Sequence, residues 1–209
     1  MLRILIADDH TVVRKGLRLI LQEEFPNAVI QEVSDAEELI KKVMSAKWDI
    51  VVSDVSMPGR SGLDSLQQIK LSHPDLPVLI LSIHPEEQYA LRALKAGASG
   101  YLSKDTASDE LVKAVQKILL KKKYISQAIA EKLANNLSKD SVLQLHETLS
   151  NREFDVMKLL ANGKSVSEIA EILALSVTTV STYRGRVMTK LHLRSNSDLT
   201  KYAIENKLI

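Results

Sequence analysis

Three carboxylates, a hydroxyl and an ammonium carry the chemistry legible in this chain: Asp8, Asp9 and Asp54, with Ser82 and Lys104. Clustered carboxylates repel one another and call for a cation, and oxygen-only ligands without His or Cys favour Mg²⁺ or Mn²⁺. A metal with spare coordination sites, an ammonium and a hydroxyl around one free carboxylate suit phosphoryl transfer onto that carboxylate. Asp54 would attack in line while Mg²⁺ and Lys104 neutralise charge on the equatorial oxygens. An acidic pair alone is common, and this chemistry requires a fold that gathers all five residues.

The elements that must position them alternate from the start. Residues 2–7, 29–33, 50–53, 78–81 and 100–102 read as strands, and 12–24, 36–44, 63–71, 86–96 and 108–120 have helical apolar spacing. Ile50, Val51 and Val52 form an apolar run without alternation, the pattern of a strand covered on both faces. Pro58 and Gly59 then force a loop. Five βα units in about 120 residues imply a parallel sheet with helices on both faces and right-handed crossovers. Helix punctuation is plausible at Ser34 or Asp35, Gly97 and Ser108. Asp8 and Asp9 follow the first strand, Asp54 ends the third, Ser82 ends the fourth and Lys104 follows the fifth. All lie on the carboxyl edge, where ligands collect in such sheets, and a flavodoxin-like (βα)5 order of 2-1-3-4-5 makes the three carboxylates converge.

Composition sets the outer bounds. The 209 residues are 45% apolar and 26% charged, ordinary for a globular protein, and contain no Cys, which excludes disulfides and thiolate metal sites. No apolar run approaches the roughly 20 residues that span a bilayer, and the N-terminus is too soon acidic for a signal peptide, so a cytoplasmic protein is expected. The net charge of +2 divides unevenly: residues 1–120 carry 14 Lys/Arg against 17 Asp/Glu, and 146–209 carry 9 against 7. A basic excess in the second half suits a C-terminal nucleic-acid contact.

Three segments follow from this: a domain over 1–120, a linker with a short helix over 121–145, and a second domain over 146–209. The run Lys121–Lys123 reads as a solvated helix end favoured by the dipole. Ile129, Leu133 and Leu137 space a short helix within 125–137, and 135–141 reads as polar linker. Beyond Leu149 no strand signal remains. Ser150 has capping-box spacing to Glu153, Ser167 can contribute to the cap of a second helix at 166–173, and Ser176 caps a third at 177–191. A fourth helix covers 199–206. The short turn 174–176 between two helices fits a helix-turn-helix. Unwrapped at 100° per residue, the third helix turns Val180, Tyr183, Val187 and Leu191 to the core. Ser181, Thr182, Gly185, Arg186 and Thr189 lie opposite, available to a major groove, with Arg184 and Lys190 flanking as phosphate contacts.

The motifs Ile6-Ala7-Asp8-Asp9-His10, Ser53-Asp54-Val55-Ser56-Met57-Pro58-Gly59, Leu81-Ser82 and Tyr101-Leu102-Ser103-Lys104-Asp105 closely resemble the receiver domain of bacterial two-component response regulators. That resemblance implies Asp54 as phosphoacceptor, and Asp9, Asp54 and the Ser56 carbonyl as Mg²⁺ ligands, with Asp8 acting through water. It also implies phosphoryl contacts from Ser82 and Lys104, and Tyr101 as an aromatic switch turning inward as Ser82 is recruited. Leu149-Ser150-Asn151-Arg152-Glu153, Glu168-Ile169-Ala170 and Thr179-Val180-Ser181-Thr182-Tyr183 look like the NarL/LuxR-type DNA-binding domain. Tyr183 stands where the family frequently has His. Together the resemblances imply a transcription factor phosphorylated by a sensor histidine kinase and homodimeric on promoter DNA when modified. An aspartyl-phosphate phosphatase is the enzymatic rival, but Ser56 is not a general acid and no cap is present. A receiver that no longer works is opposed by the complete set of five residues. The chain is therefore expected to be a regulator and not an enzyme.

Overall fold

The computed structural model describes residues 1–57, 62–131 and 144–209, the Glu87 side chain excepted. The expected loop at Pro58-Gly59, the later part of the 125–137 helix and the whole polar linker 135–141 lie outside the described residues. The chain divides into two compact units, Met1–Lys139 and Asp140–Ile209.

The first unit runs β1 (Arg3–Ala7), α1 (Thr11–Glu24), β2 (Val29–Val33), α2 (Ala36–Ser45), β3 (Ile50–Asp54), α3 (Gly62–Ser72), β4 (Val78–Ser82), α4 (Glu86–Lys95), β5 (Gly100–Ser103) and α5 (Ala107–Leu119). The strands form one parallel sheet in the order β2-β1-β3-β4-β5. Every residue of β3 and β4 is buried, as the unalternating apolar runs require. Ile4, Ile6, Val52, Leu79 and Leu81 pack on one face with Leu17 and Leu21 of α1 and Leu111, Val115 and Ile118 of α5. Leu5, Val51 and Ile80 point to the opposite face by strand alternation. Five parallel strands thus hold two apolar layers apart.

Cap assignments hold where a side chain reaches the first turn. Asp35 accepts the Glu38 amide at 2.8 Å and caps α2, and Gly97 adopts φ +99° after α4. Ser108 does not open the last helix. A 3₁₀ turn over Lys104–Thr106 carries the chain into α5 from Ala107, and the Ser108 hydroxyl donates to Asp109 instead. The lysine run is exposed, as a solvated helix end would be, and it is also anchored. Lys121 takes φ +59°, the Lys123 ammonium donates to the Ala98 carbonyl, and Tyr124 bridges in parallel to Gly100 beside β5.

The second unit contains α6 (Asn151–Ala161), α7 (Val166–Ile172), α8 (Val177–Lys190) and α9 (Asn196–Glu205). Phe154, Met157, Leu160, Ile169, Val180, Val187 and Leu199 are among its buried apolar side chains. Each helix starts on a serine. Ser150, Ser165 and Ser195 form reciprocal capping boxes with Glu153, Glu168 and Asp198, and Ser176 accepts the Thr179 amide. Ser165 therefore displaces Ser167 as the α7 cap, because only a residue outside the helix can offer its hydroxyl to the third helical amide. The fourth helix likewise begins three residues before the position set by apolar spacing, since Ser195 and Asp198 are polar. Ala174 takes φ +52° in the turn between α7 and α8.

Candidate functional site

Strand register assembles the first site as a staircase. Ala7 pairs with Ser53, which sets Asp8 beside Asp54; Asp54 pairs with Leu81, one residue before Ser82; and Ser82 pairs with Ser103, one residue before Lys104. Asp8 and Asp54 are buried, as is Ser82. The Lys104 ammonium lies 2.7 Å from Asp54 Oδ2 and 2.7 Å from Asp8 Oδ2, with its side chain only 9% exposed. Asp54 Oδ1 accepts the Ser56 amide at 3.1 Å, and Asp8 Oδ1 accepts the His10 amide at 2.8 Å. One cation thus joins two carboxylates that the sheet would otherwise force together uncompensated.

Electrostatics follow from that arrangement. Burial pushes the Asp54 carboxyl above its ordinary value, with Lys104 and the Ser56 amide opposing. Burial alone would lower Lys104, but its hydrogen bonds to Asp54 and Asp8 leave it raised and firmly protonated. Ligand atoms of Asp8, Asp9, Asp54 and His10 lie within 4.8 Å of one another. Asp8 Oδ2 and Asp9 Oδ1 are buried without an aligned hydrogen-bond donor, although each has a cationic or imidazole nitrogen nearby. Such oxygens fit a divalent cation, so the acidic cluster could hold a metal. His10 stands beside this acidic set, its Nδ1 2.8 Å from Asp9 Oδ1 at an exposed position. His10 follows the acidic pair directly, so the strand end delivers it to the same edge.

Ser82 and Tyr101 are drawn to a residue the sequence did not single out. The Ser82 hydroxyl accepts the His84 amide at 2.9 Å, and the Tyr101 hydroxyl donates to the His84 carbonyl at 3.0 Å. Tyr101 is 1% exposed and lies inward. The His84 ring stacks on Tyr89 with centroids 4.5 Å apart, and its Nε2 is 3.1 Å from the Ser56 hydroxyl. His84 therefore links the loops after β3 and β4. Gly62 has a steric role: a Cβ there would fall 2.0 Å from the Asp54 carbonyl oxygen.

In the second unit α8 turns Val180 and Val187 inward, and Leu191 beyond its end is buried, while Tyr183 is only half-buried. Ser181, Thr182, Gly185, Arg186 and Thr189 are exposed along one side. The hydroxyls of Thr182 and Thr189 donate to the carbonyls of Thr178 and Gly185, leaving their lone pairs outward. The flanking cations have internal partners. Arg184 donates twice to Asn196 Oδ1, at 3.0 and 3.1 Å. Lys190 contacts Glu153 Oε2 at 2.6 Å, tying the end of α8 to the capping box of α6. Against the burial that would raise it, Lys190 and Ser150 hold the Glu153 carboxyl below its ordinary value. No helix among the described residues is long and apolar enough to cross a membrane.

Comparison with known proteins agrees with this division. Residues 4–116 match the response regulator receiver domain, and residues 147–203 match the bacterial regulatory proteins of the luxR family. Response regulator UvrY of Escherichia coli (strain K12) is 35% identical over 209 residues, covering 100% of this chain and 96% of that protein. The oxygen regulatory protein NreC of Staphylococcus carnosus is 35% identical over 215 residues, covering 100% and 99%. Among solved structures, RcsB from Salmonella enterica serovar Typhimurium, bound to promoter rprA in the presence of phosphomimetic BeF3-, aligns with a TM-score of 0.64 at 26% identity. That alignment covers 97% of this chain and 98% of that one. With a receiver over its first half and a luxR-family regulatory domain over its second, the chain belongs to the response regulators that regulate transcription.

Proposed function

We propose that the receiver unit takes a phosphoryl group on Asp54 from a sensor histidine kinase, and that the modified chain pairs as a homodimer on promoter DNA. The observation that carries this reading is the Lys104 ammonium held 2.7 Å from both Asp54 and Asp8. A carboxylate oxygen of Asp54 attacks phosphorus, the P–N bond to the kinase imidazole breaks, and the electron pair leaves with that imidazole. Lys104 shifts from the Asp54 oxygen to the transferred group, whose added charge of about −1.5 to −2 it partly offsets. Ser82 swings from the His84 amide to a phosphoryl oxygen. Asp8, Asp9, Asp54 and the Ser56 carbonyl are the residues that would hold Mg²⁺, which when bound supplies a dication beside the phosphoryl oxygens.

The chain acts as a regulator in the cytoplasm and not as an enzyme, with 1–120 as phosphoacceptor domain, 121–145 as linker and 146–209 as output. Ser181, Thr182, Gly185, Arg186 and Thr189 present one exposed row to the major groove, and Arg184 and Lys190 stand beside it for phosphates. RcsB, solved on promoter DNA with a phosphomimetic, supports the coupling of these two halves. Couplings of about 1–3 kcal/mol are usual, so phosphorylation should tighten DNA binding roughly 5- to 150-fold. Phosphodonor labelling of wild type, Asp9→Ala and Asp54→Ala tests the chemistry, with sedimentation and DNA titration on the same samples. One label per chain, lost in both variants, is expected. Repeated turnover would make it an enzyme, and equal DNA affinity with and without label would refute the coupling.

A further inference from the structure

The opposite end of the receiver sheet carries a second concentration of charge. A cleft of about 1210 Å³ opens there, between the chain leading into β3, the end of α3 and the segment after α5. Five lysines line it: Lys47, Lys70, Lys121, Lys122 and Lys123. Two aspartates, Asp49 and Asp75, are also present. The Asp49 carboxylate accepts the Arg3 amide at 2.7 Å, and Asp75 lends Lys70 a favourable charge at longer range. Among the described residues none of the five lysines makes an ion pair.

Two of these cations are fixed by backbone. The Lys70 ammonium donates to the carbonyls of Pro74 at 3.0 Å and Leu76 at 2.6 Å. An ammonium has three donors, so one remains for a ligand. Lys123 donates to Ala98 and keeps two. Gly97 lets the Lys70 stem pass, for a Cβ there would stand 3.1 Å from Lys70 Cγ. The Tyr124 bridge to Gly100 fixes the backbone that presents Lys123. Both lysines are lowered from their ordinary pKa, chiefly by burial, and Lys70 also by the charge of Lys123. Like charges held together by carbonyl anchors pre-organise an anion site, because an entering anion relieves their repulsion.

We infer that this cleft binds a ligand bearing a di- or triphosphate group, either inorganic oligophosphate or a nucleotide. A chain of two or three phosphates carries more charge and more acceptor oxygens to share among the five lysines than a single phosphate does. The site lies at the amino ends of the strands and does not involve the acidic pocket, so its occupancy can be measured independently of phosphorylation.

The test is titration of the full-length ¹⁵N-labelled chain in metal-free buffer with inorganic tripolyphosphate, ATP and orthophosphate. Amides of residues 47, 73, 75, 76, 97–99 and 121–123 should shift with tripolyphosphate, with orthophosphate about tenfold weaker or worse. Lys70→Gln/Lys123→Gln should lose about tenfold in affinity, and the surface pair Lys47→Ala/Lys122→Ala should weaken binding without touching the backbone anchors. ATP binding as tightly as tripolyphosphate identifies the phosphate chain as the recognised group; tighter binding adds the nucleoside. Shifts centred on Asp8, Asp54 and Lys104, equal affinity for orthophosphate, or unchanged affinity in the surface pair would overturn the inference.

Discussion

Replacing Lys104 by Met shortens the side chain by one atom and removes the charge that Asp8 and Asp54 share. Both carboxylates are buried, and the lysine itself is only 9% exposed, so little solvent screening intervenes. Removing one partner of a buried pair costs about 3–5 kcal/mol, because the remaining charge is left uncompensated. With the slope typical of small domains in urea, the receiver midpoint should fall by about 2 M at pH 7. Trp48 is the sole tryptophan and is buried in this unit, so its fluorescence reports the receiver. The sign with pH is set by Asp54, whose folded pKa is raised above 3.8. An acid raised in the folded state loses stability as pH climbs from its unfolded towards its folded pKa. Without Lys104 that rise becomes larger, so the deficit of Lys104→Met should be greatest at neutral pH and shrink on acidification. Urea titrations at pH 7 and pH 5 in metal-free buffer check both parts. Equal midpoints at pH 7, or a deficit that does not change with pH, would refute the view that Lys104 offsets carboxylate repulsion.

Other perturbations probe other parts of the structure. Gly62→Ala places a methyl group against the Asp54 carbonyl and should cost about 1–3 kcal/mol while slowing phosphodonor labelling; wild-type behaviour would mean the loop shifts freely. Glu153→Gln weakens both the α6 capping box and the Lys190 contact, and should cost about 1–2 kcal/mol, seen as faster hydrogen exchange at the first α6 amides. Glu168 is lowered to about 2, chiefly by the Ser165 amide and hydroxyl. A depressed acid stabilises above its unfolded value of 4.5, and this is lost as pH falls towards 2, so the α7 amides should lose protection in that window. Arg186→Ala should relax base preference, whereas Arg184→Ala should weaken binding to all sequences and lower the salt slope by about one, as binding isotherms at several salt concentrations would reveal.

The sheet is legible in the chain because the apolar runs Ile4–Ala7, Ile50–Val52 and Val78–Leu81 each give way to polar residues at the carboxyl edge, where Asp8, Asp54 and Ser82 stand. Strand order and a one-residue stagger then bring Lys104 to Asp8 and Asp54 from the far edge. His84 was not legible. Its links to Ser82 and Tyr101 run through its backbone, that to Ser56 through its ring nitrogen and that to Tyr89 through a ring stack, none of which leaves a periodic trace. The internal partners of Arg184 and Lys190 were hidden for a related reason. A helical wheel places a side chain on a face but cannot show that Asn196 or Glu153 comes within reach from another helix. Ser165 was missed as a cap although Ser165-x-x-Glu168 was present, because apolar spacing drew attention to positions inside the helix.

The short return of the chain beside β5 has a consequence for how this protein can be divided. Tyr101 donates its amide to the Tyr124 carbonyl, and the Tyr124 amide donates to Ser99, so Tyr124 occupies hydrogen-bonding groups that the edge at β5 would otherwise leave bare. Unsatisfied sheet edges recruit other chains, and proteins cover them. The match to the receiver family ends at residue 116, before this cover begins. A fragment cut there would keep every strand of the sheet and still expose a sticky margin along β5, inviting strand-to-strand association unrelated to signalling. A fragment carried through Ile125 keeps the margin sealed, and any self-association it shows can then be attributed to its surface.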